Sequence, residues 1–383
     1  MRPIKPNRVG GIYLCSRQHI AYAPRDPVEP ATVSLACRRR YRTESTCARP
    51  ISACAKSNGE RVRRVCDVVF AAPHDTVLIS DGGLATELEA RGHDLSDDLW
   101  SARLLVDAPE EIVAVHCAFF RAGASIATTA SYQASFDGFA QRGIRRNDAT
   151  RLLRRSVELA KAARDEVTGL GAPPASRGGR WVAASVGPYG AALANGEEYV
   201  GRYGLSVAQL TDWHRPRLEI LADAGADVMA LETVPDVDEA EALVGLVHEF
   251  GVPAWLSYTI AGTTTRAGQP LADAFAVAAD VPEVVAVGVN CCAPADVEHA
   301  VLVARETTGK PVIVYPNSGE EWDGQRRTWT GKTGWSAELA PRWAAAGARI
   351  IGGCCRVRPD DIAAIARNIA ESSVVVHKSR VDP

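Results

Sequence analysis

Residues 284–317 read VVAVGVNCCAPADVEHAVLVARETTGKPVIVYPN, and the fold is decided here. Val284 to Val289 is a short run, largely β-branched and apolar at every position, as expected of a strand buried on both faces. Pro294 to Thr307 has the length and pattern of a helix, and Pro311 to Tyr315 is a second apolar strand. Strand, helix and strand in this order make one βαβ unit with parallel strands.

Working outward, the unit recurs. Upstream, the strands Thr76–Ser80, Ser125–Ala130, Trp181–Val186, Asp227–Leu231 and Ala254–Tyr258 alternate with helices. These helices span Pro109–Ala122, Asn147–Val167, Ser206–Ala224, Val237–Phe250 and Leu271–Ala279. Downstream come the helix Ser336–Ala346, the strand Arg349–Ile351 and a closing helix Pro359–Ile369. Eight such units in succession predict an α/β fold, a closed (β/α)8 TIM barrel, over residues 74–383. An open doubly wound sheet is the competing architecture. It is disfavoured because no G-x-G-x-x-G follows the first strand, and Gly82-Gly83 does not replace one.

Residues 1–73 differ in character. They carry basic clusters (Arg38-Arg39-Arg40, Arg63-Arg64), scattered proline and no sustained period of 2 or 3.6. The reading is a disordered N-terminal extension. A targeting peptide is the alternative, against which stands the lack of an apolar h-region or an amphipathic helix.

The 383 residues are 46% hydrophobic and 23% charged, in the range of a globular chain. A net charge of −3 gives no reason to expect nucleic acid or a membrane surface as partner. No apolar run reaches the roughly 18 residues of a membrane span. Ten cysteines are present, but their spacing is not that of a small disulfide scaffold. Paired thiols in a large enzyme-like chain point to metal binding in a reducing compartment, the cytoplasm. Oligomeric state is not legible.

A barrel of this kind carries its chemistry on the face where the strands end. Those positions hold Asp81-Gly82-Gly83, Thr128-Thr129 leading to Tyr132-Gln133, Gly187-Pro188-Tyr189, Glu232-Thr233, Asn290-Cys291-Cys292, Pro316 to Glu320, and Gly353-Cys354-Cys355. Three or four thiols on one rim suit a soft metal ion such as zinc, whose catalytic sites use three protein ligands and an open position. Neighbouring strand residues point to opposite faces, so Cys354 and Cys355 share an ion only if the backbone turns there. Two buried small hydrophobes are the bland alternative. Asp81 reads either as a helix cap or as a substrate ligand. Glu232, ending the apolar run Val228 to Leu231, needs a cationic partner, either a substrate ammonium or an internal arginine. The histidines at 93, 116, 214, 248 and 299 fall away from the strand ends and read as surface or packing residues.

Several stretches together resemble the homocysteine S-methyltransferases, in particular the S-methylmethionine-type branch. They are Asp81 to Leu88, Leu99 to Ala102, Thr129 to Ala134, Leu231 to Thr233, Gly288 to Cys291, Tyr315 to Glu320 and Gly352 to Arg356. The resemblance covers the barrel and none of the extension. It implies a zinc-dependent methyltransferase moving a methyl group from a sulfonium donor, S-methylmethionine or S-adenosylmethionine, to homocysteine to give methionine. It implies zinc on Cys291, Cys354 and Cys355, with Cys292 a spectator. Homocysteine is then expected near Asp81, Gly82, Thr129 and Glu232, and Trp100 on the donor side. Trp100, Tyr132 and Trp322 are candidate cation–π partners for a sulfonium. The competing functions are a cobalamin-dependent methionine synthase fragment, a betaine-dependent methyltransferase and a non-catalytic barrel stabilised by a closed zinc site that includes Cys292. Against the first, the only D-x-H, at Asp212 to His214, lacks the glycine of the cobalamin motif.

Overall fold

The computed structural model describes residues 70–96, 99–170, 179–323, 328–331 and 337–378, with backbone alone at 321–323, 328–329 and 373–378. The expected extension lies outside these residues up to position 69, and so does the side chain of Trp322.

The eight expected strands form. They are β1 (Leu78–Ile79), β2 (Ile126–Thr128), β3 (Trp181–Val186), β4 (Val228–Val234), β5 (Ala254–Tyr258), β6 (Val284–Asn290), β7 (Val312–Tyr315) and β8 (Ala348–Ile351). They pair in parallel in the order β1-β8-β7-β6-β5-β4-β3-β2. A parallel bridge between Ser80 and Ile126 joins the two ends, so the sheet closes on itself.

Alternation along the strands sorts side chains to two faces. Met229, Leu231, Leu256, Val287, Val289, Val312, Val314 and Ile351 face outward and pack in one large cluster with the helices. Leu78, Ile126, Ala183, Val228, Ala230, Trp255, Ala286, Ile313 and Ile350 fill the inside. Phe70 joins them, with its ring 5.4 Å from Trp181 in a T-shaped contact and 6.4 Å from Trp255. Packing of the barrel therefore begins four residues before position 74.

One step further along the same inner faces the residues become polar: Ser80, Thr128, Ser185, Glu232, Ser257, Asn290 and Tyr315. They satisfy one another across the barrel. Ser257 donates to Asn290 Oδ1 at 2.8 Å, Asn290 Nδ2 donates to Thr233 Oγ1 at 2.7 Å, and Trp255 Nε1 donates to Tyr315 OH at 3.0 Å. A buried polar layer is stable only when paired in this way. It makes a polar floor on top of an apolar core.

Helix placement follows capping chemistry. Ser206 and Gln209 form a capping box at the start of Val207–Asp223, and Asp236 caps Val237–Phe250, which ends at Gly251 in the left-handed conformation. The chain between β1 and β2 carries more than expected: Leu84–Ala90, a 3-10 turn Trp100–Arg103 and Leu104–Asp107 precede the helix Pro109–Arg121. Segments this short do not complete enough turns for a 3.6-residue period to show.

Candidate active site

Cys291 follows β6, and Cys354 and Cys355 follow β8. Their sulfurs converge: Cys291 Sγ lies 2.8 Å from Cys354 Sγ and 3.9 Å from Cys355 Sγ, and the last two are 4.0 Å apart. Among the described residues this is the one cluster of three metal-ligating side chains. The turn required after Cys354 is present, with Arg356 at φ +67°. Backbone bonds hold it in place. Cys354 N–H donates to Pro316 O at 2.8 Å, Cys355 N–H to Asn317 Oδ1 at 3.2 Å, and Ser318 N–H to Cys355 O at 3.0 Å. Cys291 itself sits at φ +48°, a left-handed position that costs a β-carbon-bearing residue about 1–2 kcal/mol. Such strain aims its sulfur at the other two. Hydrogen bonds from Cys354 and Cys355 draw the Cys291 thiol well below its ordinary value and push those two donors up. Cys292 is buried in the outer core and burial pushes its thiol up. It belongs to the packing, not to the cluster.

The cluster forms one wall of a cavity of about 440 Å³. Asp81, Gly82, Trp100, Thr129 and Glu232 all line it with the three cysteines. Asp81 is not a helix cap: the helix Leu84–Ala90 starts at Gly83 with no side-chain cap. Its carboxylate instead accepts from Thr128 N–H at 2.6 Å and Thr128 Oγ1 at 2.9 Å. Burial raises it to about 7, opposed by those bonds. Glu232 accepts from Ser185 Oγ, and burial pushes it to about 8. Among the described residues no arginine or lysine pairs with it, so the internal-arginine reading is not met. Thr129 Oγ1 is tied to Ser131 Oγ at 2.7 Å and accepts from Ser185 N–H at 3.0 Å, which anchors this wall. Trp100, at φ +48°, stands edge-on to Tyr132 with ring centroids 6.1 Å apart.

A family model described as homocysteine S-methyltransferase matches residues 78–369. The chain is 48% identical over 294 residues to the homocysteine S-methyltransferase of Escherichia coli, across 76% of this chain and 94% of that one. It belongs to the homocysteine S-methyltransferase family. Homocysteine S-methyltransferase YbgG of Bacillus subtilis is 44% identical over 296 residues, covering 76% of this chain and 93% of its own. Among solved structures, the metallated form of the homocysteine methyltransferase MmuM from Escherichia coli aligns with a TM-score of 0.69 at 45% identity. That alignment covers 76% of this chain and 96% of the other. The solved fold agrees with the barrel found here, and that relative's metal agrees with a metal-binding thiol cluster.

Of the positions expected from the sequence, Asp81, Gly82, Trp100, Thr129, Glu232 and the three thiols line one cavity. Two that were not expected do so as well. Tyr199 brings its hydroxyl to 3.8 Å from Cys291 Sγ. Glu198 beside it lines the cavity and is raised to about 7 by burial. Both sit in a loop turn well after β3, outside the strand-end positions. His93, expected as a surface or packing residue, is partly exposed, lies 3.7 Å from Glu111 and also borders the cavity. It comes in on the added segment after β1. His116 and His214 are fully buried packing residues, as expected.

Proposed function

We propose that this chain transfers a methyl group from a sulfonium donor to the sulfur of homocysteine, yielding methionine, with zinc held by Cys291, Cys354 and Cys355. The observation that carries the reading is the convergence of three thiols on the wall of a cavity that also holds two buried carboxyls. The donor set fits zinc. Tetrahedral zinc with Zn–S near 2.3 Å sets sulfurs roughly 3.8 Å apart. The separations involving Cys355 match this, and the Cys291–Cys354 pair is closer. Bound there, zinc supplies the charge that keeps a substrate thiol ionised near neutral pH.

The chain's own residues do the rest. Asp81 and Glu232, with Gly82 and Thr129, receive the amino-acid portion of homocysteine, whose ammonium is the cation Glu232 lacks. The thiolate sulfur attacks the methyl carbon, the carbon–sulfur bond of the sulfonium breaks, and its electron pair leaves on a neutral thioether. No general acid is needed for that leaving group. In-line placement within the cavity is what the protein contributes to the barrier. Trp100 and Tyr132 offer aromatic faces to the cation.

Thiols that must stay reduced favour the cytoplasm, and no helix among the described residues is long and apolar enough to cross a membrane.

The test is to purify the protein under reducing conditions, measure bound zinc, and follow methionine formation with S-methylmethionine, S-adenosylmethionine and betaine in parallel. One zinc per chain and fastest turnover on S-methylmethionine are expected. Zinc at one equivalent with no turnover on any donor returns the reading to a structural metal site. Preference for betaine moves the chain to the other donor class.

A further inference from the structure

Two side-chain acceptors on residues of the cavity wall are left without a donor. Oε2 of Glu198 and Oε1 of Gln133 are both closed to solvent and make no hydrogen bond. Both residues line the cavity that holds the thiols. They flank one short helix, Tyr189–Ala192. On one side Gln133 Nε2 donates to Ala191 O at 2.9 Å, which fixes the amide so that its oxygen points elsewhere. On the other, the turn Glu197–Tyr199 is pressed against Gly190: a β-carbon there would lie 2.5 Å from Glu198 N and 2.6 Å from Glu197 C. Only glycine permits this approach. The neighbouring Tyr199 reaches Cys291, so the same turn is anchored at the metal-ligand end.

No arginine or lysine among the described residues forms an ion pair with Glu198. The side chains that feel its charge include Tyr132, Tyr199, Tyr203, Cys291 and Glu197, none of them cationic, and backbone N–H groups at Gly196 and Glu198 only partly offset its burial. A carboxylate withdrawn from water without a cation is costly, and so is an orphaned amide oxygen. Both deficits are met by one kind of ligand, a cation that also carries N–H donors. Homocysteine's ammonium already has Asp81 and Glu232. The second substrate is a sulfonium amino acid, with a fixed positive charge and an ammonium of its own.

We propose that Glu198, assisted by Gln133, is the anionic subsite that captures the cationic methyl donor and sets the preference for a charged donor. This rests on the methyl-transfer reading above and adds the residues that select the donor. The physical consequence is specific. Transfer discharges the sulfonium and leaves only the ammonium, so the attraction is strongest before the reaction and weaker in the thioether product. Glu198 therefore acts on donor binding more than on the chemical step, a distinction that kinetics can resolve.

The experiment compares wild type, Glu198→Gln, Glu198→Asp and Gln133→Leu at saturating homocysteine, with S-methylmethionine as the varied donor. Wild-type turnover is recorded first; its absence on every donor would count against the methyl-transfer reading and not against this assignment alone. Given turnover, Glu198→Gln should raise the donor KM at least about ten-fold while kcat stays within about two-fold, and homocysteine KM and zinc content stay unchanged. Glu198→Asp should recover part of the loss, and Gln133→Leu should raise the donor KM by a smaller factor. Equilibrium binding of S-methylmethionine to the zinc-loaded protein, by calorimetry, should weaken in parallel. An unchanged donor KM in a folded, zinc-loaded Glu198→Gln protein overturns the proposal. So does a loss shared equally by both substrates, or one confined to kcat. Should Glu198→Gln not fold, the Glu198→Asp and Gln133→Leu proteins carry the same test.

Discussion

Cys291 and Cys292 are adjacent and chemically identical, yet the backbone gives them opposite fates. A left-handed φ at Cys291 turns its sulfur into the cavity, and Cys292 then faces the helices. Substitution should separate them. Cys354→Ser is expected to lose bound zinc and to lower turnover by more than about 100-fold, since ligand loss should exceed the 10–100-fold typical of outer-shell changes. Cys292→Ser should keep zinc and turnover but lower the melting temperature, because a buried hydroxyl without a partner costs about 1–3 kcal/mol. Zinc analysis, a methionine assay and thermal denaturation read the three quantities. The reverse pattern would reassign the ligands. At the same scale, Glu232→Gln should raise the homocysteine KM by about ten-fold or more while leaving the donor KM in place, the mirror image of the effect assigned to Glu198.

The loops after β1 and β8 act as a clasp. Gly353 N–H donates to Asp81 O at 3.0 Å and Gly83 N–H to Val357 O at 2.9 Å, tying the carboxyl side of the cavity to the thiol side. A β-carbon on Gly353 would sit 2.2 Å from Val357 Cγ1, inside any tolerable contact. Gly353→Ala should therefore shift Cys354 and Cys355 and weaken zinc binding by about ten-fold or more in a competition titration with a chelator. Unfolding should remain cooperative, because the clasp lies above the barrel core. Elements also show where sequence reading succeeds. The strand Trp181–Val186 and the helix Val237–Phe250 are found at their expected limits because each is a single run of one period bounded by glycine, proline or a cap. Glu232 stood out as a carboxylate ending an apolar run, and the thiols stood out because two Cys-Cys pairs each closed a strand. Glu198 and Tyr199 had no such marker. Their place in the site depends on how a loop folds back over Gly190, a long-range contact with no local period. Thr233, at φ +60°, likewise makes a bulge in β4 that no pattern announced, and through it Glu232 and Thr233 both reach the rim.

For the molecule as a whole, Phe70 and the buried acids make two separate demands on stability. Phe70 closes the inside of the barrel against Trp181 and Trp255, so a chain beginning at Val65 should keep its fold and turnover. Phe70→Ala in that chain should cost about 3–5 kcal/mol, read by denaturant unfolding. The acids act through pH. Asp81, Glu198, Glu232 and Glu239 are each raised by burial, to about 7, 7, 8 and 7. In the unfolded chain the same groups ionise near pH 4. The folded state thus binds more protons than the unfolded state between about pH 4 and 8, and stability falls as pH rises through that window. Two buried histidines, His116 and His214, oppose this, but only below about pH 6.5, where the unfolded chain protonates them. Cys291, drawn low, opposes it above that as one group against four. The metal-free protein should therefore lose several degrees of melting temperature between pH 6.5 and 8. Glu232→Gln removes the group titrating highest, whose shift corresponds to a few kcal/mol at one to one and a half kcal/mol per unit, roughly. Its melting temperature should fall less over the same interval. A variant whose pH slope matches that of wild type would mean that Glu232 is ionised in the folded protein throughout, held by a cation other than the substrate's.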